Sequence, residues 1–173
     1  TLLRDDHTIS SRTKVALMTA QEQGIKVVLA SGRPTFAMRA IAKELHLEEY
    51  GSFILSFNGA KIIDCKTDKE LFSSTLSPEI VHSLYDISKE ENVWIHTYID
   101  DDIITEKNNS YTEIEGQITG MPIVEVNNLK EAVQQPVVKV LMVENPEHLQ
   151  TVESKLQKQL EGQLSVMRSK PFF

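Results

Sequence analysis

A five-residue segment, 30–34, has side chains suited to holding a phosphate group, and it directly follows an apolar stretch. The Ser31 hydroxyl can donate to a phosphate oxygen, Gly32 allows the backbone to come close, and Arg33 offers a planar pair of donors for an anion. Pro34 is typical of a helix start, where free N–H groups and the helix dipole favour negative charge. The segment is therefore either a phosphate site or an ordinary strand-to-helix turn.

A second polar pair, Asn58 and Gly59, follows the next apolar stretch, 52–57. If both stretches are parallel strands, their carboxyl ends share one edge of the sheet, where open α/β sheets bind their ligands. Asn58 could hold a ligand hydroxyl, or it could be only a turn residue that tolerates positive φ. The two loops together predict one shared site more strongly than either loop alone.

The elements that must position these loops form an α/β unit in residues 1–60. Ser10 or Ser11 can cap a first helix that stops at Gly24, and 26–31 reads as a continuous apolar strand. A helix from Pro34 and the strand 52–57 complete a right-handed βαβ unit. The continuous apolar runs predict strands that are covered on both faces.

Residues 61–173 have a different pattern, with more strands and fewer helices, and are expected to form a second α/β domain. A hairpin is predicted from 61–64 and 70–75, and helices are predicted to start at Ser77-Pro78 and Asn145-Pro146. Further strands are expected at 93–99, 122–126, 137–143 and 164–168. The few apolar-faced helices predict an open-faced sheet backed by helices, with the domain boundary near residue 60.

Composition excludes several classes of protein. The chain has 173 residues and a formal net charge of −7, without the clustered Lys and Arg that a nucleic-acid surface needs. No apolar run reaches the roughly 20 residues that cross a bilayer, so no membrane association is expected. The only cysteine, Cys65, excludes an internal disulfide and fits a reducing, cytoplasmic setting. Cys65 itself is expected to be a partly buried strand residue and not a reactive thiol.

Other candidates for chemistry have simpler interpretations. Asp100 to Asp102 are expected to form a hairpin turn, and Asp5-Asp6 a polar loop before the first helix. The five histidines lack metal-ligand spacing, so no metal ligands are predicted in these residues. Tyr111 and Glu113 could face a substrate, but a packing role in an irregular stretch is favoured.

The ordered motifs resemble a known family. Thr1-Leu2-Leu3, the run 5–10, the motif 31–34 and the segment 56–60 match in order and spacing the Cof-type sugar-phosphate phosphatases. These are haloacid dehalogenase-like hydrolases of subclass IIB with an inserted C2 cap. The segment 169–173 resembles the return from cap to core. The likeness covers the whole chain and implies a partial Rossmann-like core in 1–60 and a substrate-specificity cap in 61–173.

The resemblance implies a Mg²⁺-dependent phosphatase of small phosphorylated metabolites, sugar phosphates above all, acting through an aspartyl-phosphate intermediate. Ser31 would be the catalytic hydroxyl that grips the transferring phosphoryl group. The substrate or its phosphate would also be held by the residues Thr1, Gly32, Arg33, Asn58 and Gly59. The nucleophilic and acid–base aspartates would precede Thr1, and the lysine and metal-binding carboxylates would follow Phe173. The 173 residues are therefore expected to be incomplete and inactive alone.

Two alternatives remain open at this point. The chain could be a non-catalytic binding or interaction fragment, as the absence of the nucleophile would allow. It could also belong to a phosphosugar mutase of the same superfamily, because a superfamily does not determine the reaction.

Overall fold

The computed structural model describes residues 2–173, so the predicted contact of Thr1 with phosphate lies outside the described residues. The chain divides into two compact units, which meet in sequence between Ser74 and Thr75.

Among its described residues, 2–74, the first unit contains three α-helices and four strands. The helices are α1 (Ser11–Glu22), α2 (Phe36–Glu44) and α3 (Leu47–Tyr50). The strands are β1 (Val28–Ala30), β2 (Phe53–Ser56), β3 (Lys61–Asp64) and β4 (Lys69–Ser73). Ser10 caps α1 as predicted, because its hydroxyl accepts from the N–H of Thr13 at 3.1 Å.

These strands form one sheet in the order β1-β2-β3-β4. Strands β1 and β2 are parallel and are joined through α2, so the predicted βαβ unit is present. The hairpin β3–β4 pairs antiparallel with β2 and extends the same sheet. The first compact unit therefore includes this hairpin and reaches Ser74, whereas the sequence placed the domain boundary near residue 60. Alternation of residues identifies the strands of a hairpin, but it does not say which sheet they join.

The core of this unit covers one face of the sheet. Leu29, Ile54 and Ile63 pack against Met38 and Ala42 of α2, together with Leu45, Leu47 and Ile9. In β1 only Leu29 is buried, and Val28 remains 45% exposed. The expectation that this strand is covered on both faces is wrong for the described residues. A run of apolar residues shows that a strand can be buried, but not which neighbours cover it.

The second unit contains four strands and four helices. The strands are β5 (Trp94–Ile99), β6 (Asp102–Thr105), β7 (Ile123–Glu125) and β8 (Val140–Val143). The helices are α4 (Pro78–Glu90), α5 (Ser110–Thr119), α6 (Leu129–Ala132) and α7 (Pro146–Gln159). The sheet order is β7-β6-β5-β8, with β6 and β7 parallel and the other pairs antiparallel.

The mixed α/β class is confirmed, but the second sheet is not open-faced. Ile95 and Ile104 pack on one side with residues of α4 and α6. On the other side, Leu141 and Val143 are covered by α5 and by Phe173. The prediction missed α5 although it has clear ends, since Asn109 caps its first turn and Gly120 follows it with a φ of 72°.

One predicted strand is replaced by side-chain contacts. Residues 164–168 are not in a strand, and Arg168 instead binds Glu153 of α7 through its Nε at 3.0 Å and its Nη2 at 2.6 Å. Among the described residues, no helix is both long enough and apolar enough to cross a bilayer.

Candidate active site at the carboxyl edge of the parallel strands

Ser31 lies where β1 ends and is held by its own backbone. Its N–H donates to the carbonyl of Leu55 at 3.0 Å, which continues the parallel pairing by one residue. Its Oγ accepts from the N–H of Arg33 at 3.2 Å. Because this bond uses the oxygen as an acceptor, the hydroxyl hydrogen is left to donate to a ligand oxygen. The side chain thus has the orientation and the free donor that an anion site requires.

The structure brings the two predicted loops together. The N–H of Asn58 donates to the carbonyl of Ser31, and the N–H of Phe57 donates to the carbonyl of Arg33, both at 3.0 Å. These bonds cross between loops that are more than twenty residues apart in the sequence. The residues proposed to bind phosphate from segments 31–33 and 58–59 therefore form one continuous surface.

Gly32 has a role that the sequence did not reveal. A Cβ built at this position would lie 2.6 Å from Oδ1 of Asn58, well inside van der Waals contact. The sequence interpretation assigned Gly32 to close approach of a ligand. The structure shows a different requirement, because the missing side chain makes room for the Asn58 amide.

The loop after β2 is unusually constrained. Phe57, Asn58 and Gly59 have φ values of 51°, 59° and 89° in succession. Asn and Gly tolerate this left-handed region, but a bulky residue such as Phe57 adopts it at a cost of about 1–3 kcal/mol. Phe57 is buried, with 8% of its surface exposed, so packing holds the strained conformation. Backbone strain of this kind clusters at ligand sites.

A buried pair of hydroxyls beneath the loops was not predicted. Oγ1 of Thr35 and Oγ of Ser56 lie 2.7 Å apart, with Ser56 fully buried. The bond joins the start of α2 to the end of β2, the two elements that carry the site. A hydroxyl residue at each of these positions was visible in the sequence, but their contact depends on the βαβ crossover.

The start of α2 keeps donors available. Thr35 precedes the helix, and its side chain makes no capping bond to the first turn. The first N–H groups of a helix have no partner within the helix, and the helix dipole adds partial positive charge there. An anion bound beside Ser31 and Arg33 would therefore meet an uncapped helix start.

Arg33 carries an unneutralised charge. Within residues 2–173 it forms no ion pair with a carboxylate, and its Nη2 lies 3.3 Å from Nδ1 of His7. Arg39, five residues after Pro34, differs because it pairs with Asp68 at 2.8 Å. Within the described residues, Arg33 is therefore not the partner of a surface carboxylate.

The remaining candidate residues from the sequence lie in turns, are partly buried or make packing contacts. Asp6 accepts from the N–H and hydroxyl of Thr8 at 3.0 and 2.6 Å, and these bonds lower the pKa of its carboxyl. Asp100 lies in the turn between β5 and β6 with a φ of 53°. Burial raises the pKa of the Cys65 thiol to about 11, so it is not a thiolate at neutral pH. Tyr111 stacks on Phe172 with ring centroids 6.0 Å apart, a packing contact.

No metal centre is evident in the part of the chain that the structure describes. Its His, Cys, Asp and Glu side chains form no group of three that could hold an ion. The described residues therefore do not by themselves fit a magnesium site.

Comparison with known proteins then identifies the family. A sequence profile of the haloacid dehalogenase-like hydrolases matches residues 1–173. The chain belongs to this family. A haloacid dehalogenase-like hydrolase from Bacteroides thetaiotaomicron superposes on all of the chain with a TM-score of 0.93 and 38% identity, and the chain covers 65% of it.

Curated relatives of the chain carry phosphatase names. The Bacillus subtilis protein named "Putative phosphatase YxeH" is 28% identical over 177 residues, covering 100% of the chain and 65% of the relative. Another Bacillus subtilis protein, "5-amino-6-(5-phospho-D-ribitylamino)uracil phosphatase YwtE", is 30% identical over 106 residues, covering 61% of the chain and 35% of the relative. All of the chain thus matches YxeH, and it spans 65% of the length of that relative.

Proposed function

We propose that the full-length protein is a phosphatase of small phosphorylated metabolites and that segment 31–33 binds the phosphoryl group. The observation that carries this proposal is the set of free donors at one edge of the sheet. The hydroxyl of Ser31, the guanidinium of Arg33, which has no carboxylate partner within residues 2–173, and the uncapped start of α2 are all available there. Phosphoryl transfer depends on such positioned charge, because negative charge is spread over the phosphoryl oxygens in the transition state.

Ser31 and Arg33 would contribute in different ways. A hydroxyl donor beside the phosphoryl group stabilises charge that grows in the transition state and therefore raises kcat. A guanidinium can grip phosphate oxygens both before and during the reaction, so Arg33 would act mainly on substrate binding. Asn58 would orient the rest of the substrate through its amide, with Gly59 completing the turn.

The second unit, Thr75–Phe173, would act as the substrate-specificity cap. Support for this role is the resemblance to the capped phosphatases and the presence of a core of its own. The named substrate of the relative YwtE is a phosphorylated ribityl compound. A phosphate ester of a sugar or sugar-like alcohol is accordingly the substrate class that we propose. Magnesium dependence and a cytoplasmic location remain predictions from the family and the composition.

Neither alternative from the sequence is favoured by the comparisons. The relatives carry phosphatase names and the chain matches a hydrolase family throughout, which does not favour a non-catalytic fragment. A mutase would use the same phosphate contacts but return the phosphoryl group to a sugar hydroxyl. Release of inorganic phosphate distinguishes the two reactions.

The test is phosphate release by the full-length protein from sugar phosphates, nucleotides and phosphopeptides. We expect turnover of the small sugar-type esters, and we expect Ser31→Ala to lower kcat/KM by roughly 10- to 1000-fold, the range for losing one preorganised donor. Ser83→Ala is the matched control, because that hydroxyl is exposed on α4 and donates to the Glu79 carbonyl. Wild-type kinetics in Ser31→Ala would show that the phosphate site is elsewhere.

A further inference from the structure

The side chain of His7 contacts the residue that we propose to bind phosphate. Its Nδ1 lies 3.3 Å from Nη2 of Arg33, and the two residues are 26 positions apart in the sequence. A guanidinium only donates hydrogen bonds, so Nδ1 must be the acceptor and any ring hydrogen must sit on Nε2. The imidazole therefore orients Arg33 without bringing a negative charge.

The difference between a neutral and an acidic partner matters for anion binding. A carboxylate beside Arg33 would hold the guanidinium but would also neutralise it and repel a phosphate. The imidazole brings no negative charge, accepts from one of the five N–H donors and leaves the remaining donors of the guanidinium to a ligand. Arg39 illustrates the other arrangement, because its charge is matched by Asp68.

The loop that carries His7 is closed by hydrogen bonds of its own. Arg4 and Thr8 are joined by a backbone bond of 2.9 Å, and the N–H of His7 donates to the Arg4 carbonyl at 3.0 Å. Asp6 accepts hydrogen bonds from both the N–H and the hydroxyl of Thr8, and these bonds fix the same turn. The next residue, Ile9, is buried in the core of the first unit. The turn is thus anchored independently of Arg33 and can serve as a fixed point for it.

The backbone of His7 has the left-handed conformation that this placement needs. Its φ is 63°, a region that non-glycine residues rarely adopt and that Asn and Gly tolerate best. Histidine is among the non-glycine residues that are enriched in this region, and here it also supplies a flat acceptor that reaches Arg33.

We propose that His7 is a positioning residue for Arg33, holding the guanidinium ready for the phosphate of the substrate. The proposal rests on the proposed function of Arg33. A side chain that is ordered in advance loses less conformational freedom when it binds, so the benefit appears as tighter binding. His7 touches no reacting atom in this scheme and affects KM rather than kcat.

The experiment compares His7→Gly with His7→Asn in the full-length protein. Both variants tolerate the positive φ, but Gly removes the acceptor and Asn keeps an amide oxygen. For a small phosphate ester we expect His7→Gly to raise KM, and the inhibition constant of inorganic phosphate, by about three- to tenfold, the range for ordering one flexible side chain on binding. We expect kcat within about twofold of wild type and recovery of most of the loss in His7→Asn.

A double-mutant cycle with Arg33→Met separates this proposal from the function on which it rests. In the Arg33→Met background, His7→Gly should change KM by less than about twofold, because the bond is already absent. Equal effects of His7→Gly in both backgrounds, or wild-type KM and phosphate inhibition in His7→Gly alone, would overturn the positioning role. Unchanged KM and phosphate inhibition in Arg33→Met alone would instead overturn the proposed function of Arg33.

Discussion

At the scale of single residues, the proposed site depends on the Asn58 amide, which occupies the space that a side chain at position 32 would need. Asn58 can turn its amide toward the β1 loop only because Gly32 has no Cβ. Asn58 in turn adopts a left-handed backbone conformation, which Asn tolerates better than most residues. Each residue therefore explains the type of the other, although 26 positions separate them.

This dependence predicts non-additive effects on activity. Gly32→Ala should displace the Asn58 side chain, so Gly32→Ala and Asn58→Ala should each lower kcat/KM of the full-length protein for the same reason. We expect kcat/KM of the double variant to lie within about twofold of the value for the less active single variant. This result corresponds to a coupling within the 0.5–3 kcal/mol found for contacting residues. Steady-state kinetics on the four proteins measures the coupling.

The contrary result is also informative. If the two losses multiply in the double variant, Gly32 is needed for something other than Asn58. Close approach of the substrate to the Gly32 backbone, which is the role assigned from the sequence, would then be the better explanation.

At the scale of elements, α5 turns the second sheet into a layer with two covered faces. The face of β5 that it covers is polar, because Tyr98 donates to Glu115 at 2.7 Å and His96 contacts Thr112 at 3.2 Å. Burial raises the pKa of Tyr98 well above its usual value, so the phenol stays a donor. The sequence predicted a strand at 93–99, but it did not show that a helix covers the polar face of this strand.

Because His96 is buried, the free energy of unfolding should depend on pH in the acid range. The side chain is fully buried, and desolvation, with a smaller contribution from the positive Lys139, lowers the pKa of its imidazole to about 3. An unfolded histidine takes up a proton below about pH 6.5, whereas the folded one stays neutral until about pH 3. Between these values the unfolded state binds more protons, so the free energy of unfolding falls by up to about 1.4 kcal/mol per pH unit as pH decreases.

Urea denaturation at a series of pH values tests this expectation with His96→Leu. The substitution removes the titrating group and leaves Thr112 with its bond from Asn109 at 3.0 Å. We expect the slope of stability against pH below about 6.5 to be clearly smaller in His96→Leu than in wild type. His148→Gln is the control, because its imidazole is exposed. The same slope in wild type and His96→Leu would show that other groups cause the acid sensitivity.

At the scale of the whole molecule, we expect the 173 residues alone to release no phosphate from esters. The proposed site in segments 31–33 and 58–59 supplies donors and positive charge, but these groups only position a substrate and do not attack phosphorus. The attacking aspartate that the family resemblance implies is not among the residues of this proposed site. Phosphate release by the purified 173-residue chain above a no-protein blank, abolished in Ser31→Ala, would contradict this prediction.

The sequence by itself determined the parts of this protein that depend on neighbouring residues. Ser10 and Pro78 mark helix starts through local hydrogen bonding and a restricted φ, and the apolar runs of β1 and β2 mark strands of a βαβ unit. Segment 31–34 and Asn58 were also predicted to form a phosphate site, because phosphate binding requires particular groups in a short stretch, and that role stays a prediction.

Only the tertiary structure decided which distant residues meet. The hairpin β3–β4 joins the first sheet, α5 closes the second sheet, and residues 164–168 bind α7 instead of forming a strand. The contacts of Gly32 with Asn58, of Thr35 with Ser56 and of His7 with Arg33 belong to the same class. Each joins segments far apart in the chain, and its energy depends on packing geometry that no local pattern of residues contains.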